Sequence, residues 1–366
     1  MNDDSLQKYS DLLLDYCLQI KPGQKLFIQS TTLAEPLISK LYTGGLQRNA
    51  IVEINLAILD QEKSFNKYAN EVTVRWINPS YARAMESFDA YLYIRAPFIA
   101  STYSPLNKNL LELRREALMP YQKLYSSRTG SKQMRRTLCQ YPTASSAKDA
   151  DMSLEEYSNF VLNACFLDHP DPAGTWKKLS SSQQGWVDYL NHSSVIRYKN
   201  QHTNITFSTK DRIWINSDGQ TNMPSGEIYT SPIEDSINGS IYFDYPVLFQ
   251  NRLLQGIKFE VVDGLIVNGI AEQGQDILDE ILEIPGARRF GEVAIGTNFS
   301  IQQSTKNILF DEKIAGTIHM AIGQSYEQCR GKNESSIHLD LIADMKSCGE
   351  IVADGELIYR SGQFII

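Results

Sequence analysis

The sequence lacks three features that each define a large class of proteins. It has no apolar run that approaches the roughly 20 residues of a membrane-spanning helix. Its cysteines are scattered and form no CxxC pair, which excludes a disulfide framework and a thiolate zinc site. Positive charge is in deficit, because 35 Lys and Arg stand against 43 Asp and Glu, for a net charge of −8. This balance argues against a protein held to nucleic acid by phosphate contacts.

The N-terminus shows no secretory signal, since Met1-Asn2-Asp3-Asp4 is acidic and leads into an amphipathic segment. The 366 residues are 42% hydrophobic and 10% aromatic, which is enough to build packed cores. At about 150 residues per domain, this length predicts two domains. We therefore expect a two-domain cytoplasmic protein.

Strand and helix patterns alternate through the first half of the chain. Strand-like runs are predicted at 25–30, 51–56 and 90–95, and helices at 5–20, 36–48, 106–124 and, after a capping box of Ser153 and Glu156, up to about 165. A stretch rich in Pro, Gly and Ser then precedes a short helix at 186–190. The alternation predicts a parallel α/β domain over residues 1–194. That domain contains no GxGxxG fingerprint, so we predict no nucleotide site there.

The pattern changes near residue 195 to short alternating runs separated by turn signals such as Asp218-Gly219 and Asp263-Gly264. Strands are predicted at 195–198, 204–209, 213–216, 240–243, 257–262 and 265–270, with one helix at 274–284. The predicted fold class is therefore α/β, with a parallel N-terminal domain and a mainly antiparallel, β-rich domain over residues 195–366.

Two histidines occupy strand-like runs in this β-rich half. In the run 317–322, alternation places His319 on the face opposite the apolar residues. In the run 337–341, His338 and Asp340 share a face, about 6–7 Å apart along the strand. Neutral nitrogen and anionic oxygen together suit a borderline divalent cation. A hydrogen-bonded structural pair is the alternative interpretation of these residues alone.

Two glutamates extend the candidate set. Glu227 follows a Pro- and Gly-containing turn, and Glu292 lies in a Gly-bounded apolar strand where an unpaired carboxylate would be costly. The alternative is a salt bridge from either glutamate to Arg288 or Arg289. Three carboxylates and two imidazoles exceed the needs of one tetrahedral zinc ion, and they fit two metals that share a bridging carboxylate.

Several motifs together resemble one family, the dinuclear metallo-aminopeptidases of the aminopeptidase T, aminopeptidase S and PepS type. The motifs are NMPSGE at 222–227, GEVAIGTN at 291–298, DEKIAGTIH at 311–319, GQSY at 323–326 and GKNESSIHLD at 331–340. The resemblance is weaker but present earlier, at 95–97, 141–143 and 152–157. Their order and spacing agree across most of the chain.

The resemblance implies the roles of particular residues. The implied metal ligands are Glu227, Glu292, His319, His338 and Asp340, with Glu292 as the bridge between two ions and as a catalytic residue. Tyr326 is implied to hydrogen-bond the developing oxyanion. Glu312 lies close in sequence but is not included among the predicted ligands. Lys332 is considered for contact with the substrate carboxylate or the tetrahedral intermediate, or as a solvated loop lysine. The segment 327–337 is shorter than in other members of the family, so the resemblance does not determine the shape of the substrate pocket.

The resemblance also implies an activity, hydrolytic removal of N-terminal residues from short peptides through a metal-bridged water. Two divalent ions are implied, zinc or cobalt with manganese as a further choice, in a homodimer that binds neither nucleic acid nor membrane. One alternative is a mononuclear iron dioxygenase that cleaves dihydroxypyridines, in which His319, His338 and Asp340 form a facial triad. The other is a peptide-binding relative without catalytic activity.

Overall fold

The structure is a computed structural model that describes residues 1–99 and 105–366. Contacts divide the chain into two compact units. Unit 1 comprises Met1–Ala173 and Gly219–Pro224, and unit 2 comprises Gly174–Asp218 and Ser225–Ile366. This division precedes the predicted boundary at 194/195, because a helix that ends at Asn191 packs Val187 and Leu190 into the hydrophobic core of unit 2.

Unit 1 is built on a five-stranded parallel sheet, as the alternation of strand and helix predicts. Its strands in spatial order are Ile51–Ala57, Lys25–Thr31, Ala90–Arg95, Arg135–Gln140 and Asn222–Met223. The short last strand comes from the segment between the two parts of unit 2, so the chain returns to unit 1 just before Glu227.

The α-helices of unit 1 include the four that the sequence predicts and four that it does not, Gln61–Tyr68, Glu71–Arg75, Pro79–Ser87 and Ala144–Asp149. They are Asp3–Asp11 with a π-helical continuation Leu12–Cys17, a 3-10 turn Thr32–Ala34, Glu35–Gln47, Gln61–Tyr68, Glu71–Arg75, Pro79–Ser87, Lys108–Gly130, Ala144–Asp149 and Leu154–Ala164. The predicted capping box is confirmed, because Ser153 Oγ accepts from the Glu156 backbone N–H and the Glu156 carboxylate accepts from the Ser153 N–H.

One long helix of unit 2 is wrongly predicted from the sequence. Residues Pro172–Asn191 form a single helix, whereas the sequence indicates only a short helix at 186–190. Its buried positions, Trp176, Gln183, Val187 and Leu190, recur at helical spacing, but the polar Gln183 interrupts the apolar pattern. No helix within the described residues is both long and apolar enough to cross a bilayer.

Unit 2 contains a nine-stranded antiparallel sheet and a smaller five-stranded sheet. The larger sheet has the spatial order Val247–Phe249, Arg252–Val262, Asn238–Phe243, Asn204–Ser208, Val195–Lys199, Glu350–Ala353, Glu356–Arg360 and Gln363–Phe364, with Leu265–Gln273 paired to Arg252–Val262. Further helical segments are Gln275–Leu282, Ile308–Asp311 and the 3-10 turn Glu327–Cys329. The predicted fold class, a parallel sheet followed by antiparallel sheets, is confirmed.

The smaller sheet of unit 2 is called the site sheet below. Its antiparallel strands in spatial order are His338–Asp344, Thr317–Gly323, Phe290–Gly296, Glu227–Thr230 and Ile215–Ser217. One face is apolar and joins the core of unit 2 through Val293, Ile295, Ile318, Met320, Ile322, Leu339 and Leu341. The predicted alternation is confirmed, since His319 and Asp340 then lie on the opposite face.

We predict that Gly291→Ala destabilises the protein, because a Cβ at this bulged position would collide with the backbone carbonyl of Gln324. The expected loss in free energy of unfolding is about 1–3 kcal/mol, as for other overpacking substitutions. Urea denaturation of the metal-free protein measures it. The matched control is Gly185→Ala, where nothing lies within 4 Å of the new methyl group. That helical substitution should raise stability by about 0.5–1 kcal/mol. Equal stabilities of the two variants would contradict the packing argument.

Candidate metal centre

The polar face of the site sheet brings the predicted ligands into register on adjacent strands. Glu292 pairs with Ala321, and Ala321 pairs in turn with Asp340, so two carboxylates flank one methyl group. His319 lies opposite Ala294 in the neighbouring row. Since paired residues of an antiparallel sheet share a face, the small alanine side chains leave space between the larger polar ones.

Three of these residues form what we name the first donor group, Glu292, His338 and Asp340. One ligand atom from each lies within 4.8 Å of the others. His338 Nε2 lies 3.0 Å from Glu292 Oε2 and 3.3 Å from Asp340 Oδ1. The other ring nitrogen, Nδ1, lies 2.7 Å from the Gln324 carbonyl oxygen. A carbonyl can only accept, so Nδ1 carries the proton, and in the neutral ring Nε2 offers its lone pair to the group.

The second donor group consists of Glu227, Glu312 and His319, whose ligand atoms also lie within 4.8 Å of one another. His319 Nε2 is 3.3 Å from Glu227 Oε2. Glu312 follows the short helix Ile308–Asp311 and reaches the group from outside the site sheet. Glu312 is not among the ligands predicted from the sequence, and it belongs to no alternating strand run.

Glu292 lies between the two groups. Its Oε2 faces His338 Nε2 at 3.0 Å, and its Oε1 lies 3.8 Å from His319 Nε2. One carboxylate therefore presents an oxygen to each histidine. This is the arrangement of a carboxylate that bridges two cations.

The site contains buried polar atoms that lack hydrogen bonds. Among the described residues, these atoms include Glu227 Oε2, Asp340 Oδ1 and both ring nitrogens of His319. Leaving such atoms unsatisfied costs about 1–3 kcal/mol each, and more for charged groups. They are carboxylate oxygens and imidazole nitrogens that converge on two points, which is the donor set that zinc, cobalt and manganese accept. The residues present therefore fit two divalent metal ions.

The electrostatics of the two groups favour a cation. Burial lowers the pKa of His338, but the larger opposing effect of Asp340 and Glu292 raises it to about 11. Burial also lowers the pKa of His319, and Glu292 and Glu227 more than reverse this effect. For Asp340, burial raises the pKa while the adjacent His338 lowers it more, to about 2. The carboxylates thus favour positive charge on both imidazoles, at positions where a metal ion would supply it.

A lysine also lies within the second donor group. The Lys313 side chain is 0% exposed, and its Nζ lies 2.9 Å from Glu227 Oε1. The same Nζ makes a close ion pair with Glu312. No role for Lys313 is predicted from the sequence, since it lies in the turn after the helix Ile308–Asp311 and belongs to no alternating run.

Tyr326 lies at the edge of the first donor group. Its hydroxyl oxygen is 3.3 Å from His338 Nε2, and its ring packs edge-on against Tyr229 with centroids 5.3 Å apart. Its backbone N–H donates to Ser231 Oγ. Burial raises the pKa of Tyr326 strongly, and the carboxylates of the site raise it further. The hydroxyl therefore stays protonated and can donate a hydrogen bond.

Gln183 supports the site from the helix Pro172–Asn191 and was missed in the sequence analysis. Its side chain is fully buried, and Nε2 donates to the backbone carbonyl of Glu227 at 2.9 Å and to Asn216 Oδ1 at 2.7 Å. Its Oε1 accepts from Thr297 Oγ1. The only sequence signal is its spacing from Trp176 on one helix face.

Three other residues considered from the sequence lie outside the two groups. Lys332 is exposed, and its backbone N–H donates to Glu234. Arg288 pairs with Glu283, and Arg289 donates to the backbone carbonyl of Glu234. In the described contacts, neither arginine pairs with Glu227 or Glu292, and the ion pair of Glu227 is with Lys313.

Comparisons with known proteins agree over the whole chain. The profile of the thermophilic metalloprotease family (M29) matches residues 2–364. Aminopeptidase 2 of Geobacillus stearothermophilus is 26% identical, over 99% of this chain and 98% of its own. Aminopeptidase PepS of Streptococcus thermophilus is 24% identical, also over 99% of this chain and 98% of its own. The structure of wild-type AmpT from Thermus thermophilus has the same fold, with a TM-score of 0.84, 19% identity and 99% of each chain covered.

We predict that divalent metal stabilises the metal-free protein, because it satisfies buried atoms that folding leaves without partners. At a free cobalt concentration of 100 times Kd, one site adds about 2.7 kcal/mol to the free energy of unfolding. Urea denaturation of chelator-stripped protein with and without cobalt measures the gain. The double variant His319→Gln/Asp340→Asn should lose most of it, since each donor group loses a ligand. An equal gain in that variant would show that cobalt binds elsewhere.

Proposed function

The chain belongs to the thermophilic metalloprotease family (M29), and from that premise we propose that it is a metal-dependent aminopeptidase that releases N-terminal residues from short peptides. The family membership predicted from the sequence is confirmed, and the named relatives are aminopeptidases. The observation that carries the proposal is the position of Glu292, which presents one oxygen to each of two adjacent donor groups.

The two donor groups are the proposed metal ligands. Glu292, His338 and Asp340 would hold one ion, and Glu227, Glu312 and His319 the other, with Glu292 shared between them. When bound, such ions polarise the scissile carbonyl and lower the pKa of a bound water toward neutrality. The Nδ1–H of His338 donates to the Gln324 carbonyl oxygen, which fixes the ring with Nε2 toward the donor group that would hold the metal.

The remaining steps belong to side chains of the chain itself. The Tyr326 hydroxyl donates to the carbonyl oxygen as negative charge develops there, since burial keeps this phenol protonated. A glutamate oxygen of the site accepts the proton of the attacking water and returns it to the leaving amine. A free α-amino group would be a further nitrogen ligand for the bound ions, which supports a preference for peptides with a free N-terminus.

Zinc or cobalt is the proposed metal, with manganese as the alternative, because imidazole and carboxylate donors suit all three. Two ions are proposed because the ligands form two groups and not one. The family resemblance supports a homodimer, which sedimentation equilibrium checks.

The two alternative functions have less support. A mononuclear iron dioxygenase would use three of the ligands, and it leaves the buried Glu227 and the adjacent Glu312 without a role. A peptide-binding relative without catalytic activity would not need a protonated tyrosine beside the ligands. The relatives reported above are named as aminopeptidases, and their names support neither a dioxygenase nor a protein without catalytic activity.

We predict that chelator-stripped protein does not cleave free-amine dipeptides and that zinc or cobalt restores cleavage. N-acetylated versions of the same dipeptides should resist cleavage, because acetylation removes the lone pair of the free α-amino group. Release of amino acids, followed by chromatography over a panel of dipeptides, measures the activity. Cleavage of acetylated peptides at the same rate would contradict an aminopeptidase. Failure of both metals across the panel would contradict the hydrolase, and ferrous iron with oxygen and dihydroxypyridines would then be tested.

Tyr326→Phe should lower kcat by roughly 100-fold, the size of effect found when one oxyanion donor is removed. KM should change little, because the ring and its packing on Tyr229 are kept. Steady-state kinetics with metal-saturated enzyme measures both constants. The matched control is Tyr242→Phe, which removes an exposed hydroxyl that pairs with Glu272. A kcat of Tyr326→Phe equal to that of the control would remove the tyrosine from the mechanism.

A further inference from the structure

Lys313 is the feature of the site that the proposed reaction leaves without a role. Its side chain is 0% exposed, although a lysine ammonium is almost never fully buried unless it is paired. The partners of this ammonium are two of the proposed metal ligands, Glu227 and Glu312. A fixed positive charge therefore lies inside one of the two groups that are to bind a cation.

Lys313 and a metal ion would contact different oxygens of the same carboxylates. Lys313 Nζ pairs with Glu227 Oε1, while Glu227 Oε2 faces His319 and has no hydrogen bond among the described residues. The hydrogen bond of Nζ to Glu312 is likewise to a single oxygen, Oε1. One oxygen of each glutamate is left for a metal. Lys313 thus neutralises the group without blocking it.

The two donor groups consequently differ in charge. Each contains two carboxylates and one imidazole, but only the second has an ammonium in direct contact with its carboxylates. Among the described residues, no lysine or arginine lies within ion-pair distance of the carboxylates of the first group, and the charge of Lys313 acts on Asp340 only from farther away. Lys313 is not among the candidate ligands, so its ammonium group would stay beside an ion bound in the second group.

We propose that Lys313 is a resident counter-cation that weakens metal binding in the Glu227–Glu312–His319 group relative to the Glu292–His338–Asp340 group. A like charge a few ångströms from a divalent ion repels it strongly in a buried site. The same charge stabilises the metal-free protein, because it offsets the repulsion between Glu227 and Glu312. The protein would then fill its two sites in order, first the group without the lysine. This inference rests on the proposed function, since it assigns an affinity to each proposed site.

Titration of chelator-stripped protein with cobalt tests the proposal by calorimetry and by the visible absorption of bound cobalt. We expect two separable steps in the wild type. Asp340→Asn should weaken the tighter step, and Glu312→Gln should weaken the looser one. Lys313→Met should tighten the looser step by at least about tenfold and change the tighter step by less than about threefold. The matched control, Lys346→Met, removes a half-exposed lysine near Asp344 and should change neither step.

A second variant separates charge from positioning. Lys313→Gln removes the charge but keeps a hydrogen-bond donor near Glu227, so it should tighten the looser step as Lys313→Met does. If both neutral variants leave that step unchanged or weaken it, Lys313 is no competing cation and the proposal is overturned. If neither variant folds, the wild-type order of loading decides, and tighter binding at the Glu312 group overturns the proposal.

The outcomes also distinguish this inference from the proposed function. Wild-type protein that binds two cobalt ions with equal affinity overturns the role of Lys313 and leaves the aminopeptidase untouched. Wild-type protein that binds no cobalt and cleaves no peptide contradicts both. Metal-restored cleavage together with unchanged affinities in the Lys313 variants contradicts the inference alone.

Discussion

The crowding of negative charge on one face of the site sheet is the constraint on which the rest of the centre depends. Glu227, Glu292 and Asp340 are buried there, and Glu312 lies beside them. Buried carboxylates repel one another and lose their hydration, so such a cluster forms only with compensating positive charge. In the metal-free protein Lys313 supplies such charge, and the carboxylates raise the pKa of both His319 and His338. Divalent metal ions would supply further positive charge at the two donor groups.

The surrounding structure holds this cluster in place by small residues and by buried hydrogen bonds. Ala321 separates two carboxylates without filling the space between them. Gly291 lets the Gln324 carbonyl approach closely, and the same carbonyl oxygen accepts a hydrogen bond from His338 Nδ1–H. From a separate helix, Gln183 fixes the backbone at Glu227. Each support acts on a ligand and not on the reacting atoms, which is how a rigid sheet positions a metal site.

The sequence predicts those parts of the centre that follow strand periodicity. Alternation places His319 and Asp340 on one face and their apolar neighbours on the other, and both placements are found. Strand periodicity does not predict the other three residues of the site. Glu312 and Lys313 reach it from a turn, and Gln183 reaches it from a helix whose apolar pattern is interrupted. Their proximity depends on tertiary packing. The same interruption explains why the helix Pro172–Asn191 is predicted far too short, and why the predicted domain boundary falls after it.

The most direct test of the account is a crystal structure of cobalt-loaded protein with anomalous scattering at the cobalt edge. We predict two anomalous peaks on the polar face of the site sheet, one among Glu292, His338 and Asp340 and one among Glu227, Glu312 and His319. Glu292 should contact both ions. Peaks located away from these six side chains, or a single ion with Glu227 and Glu312 unliganded, would contradict the dinuclear centre.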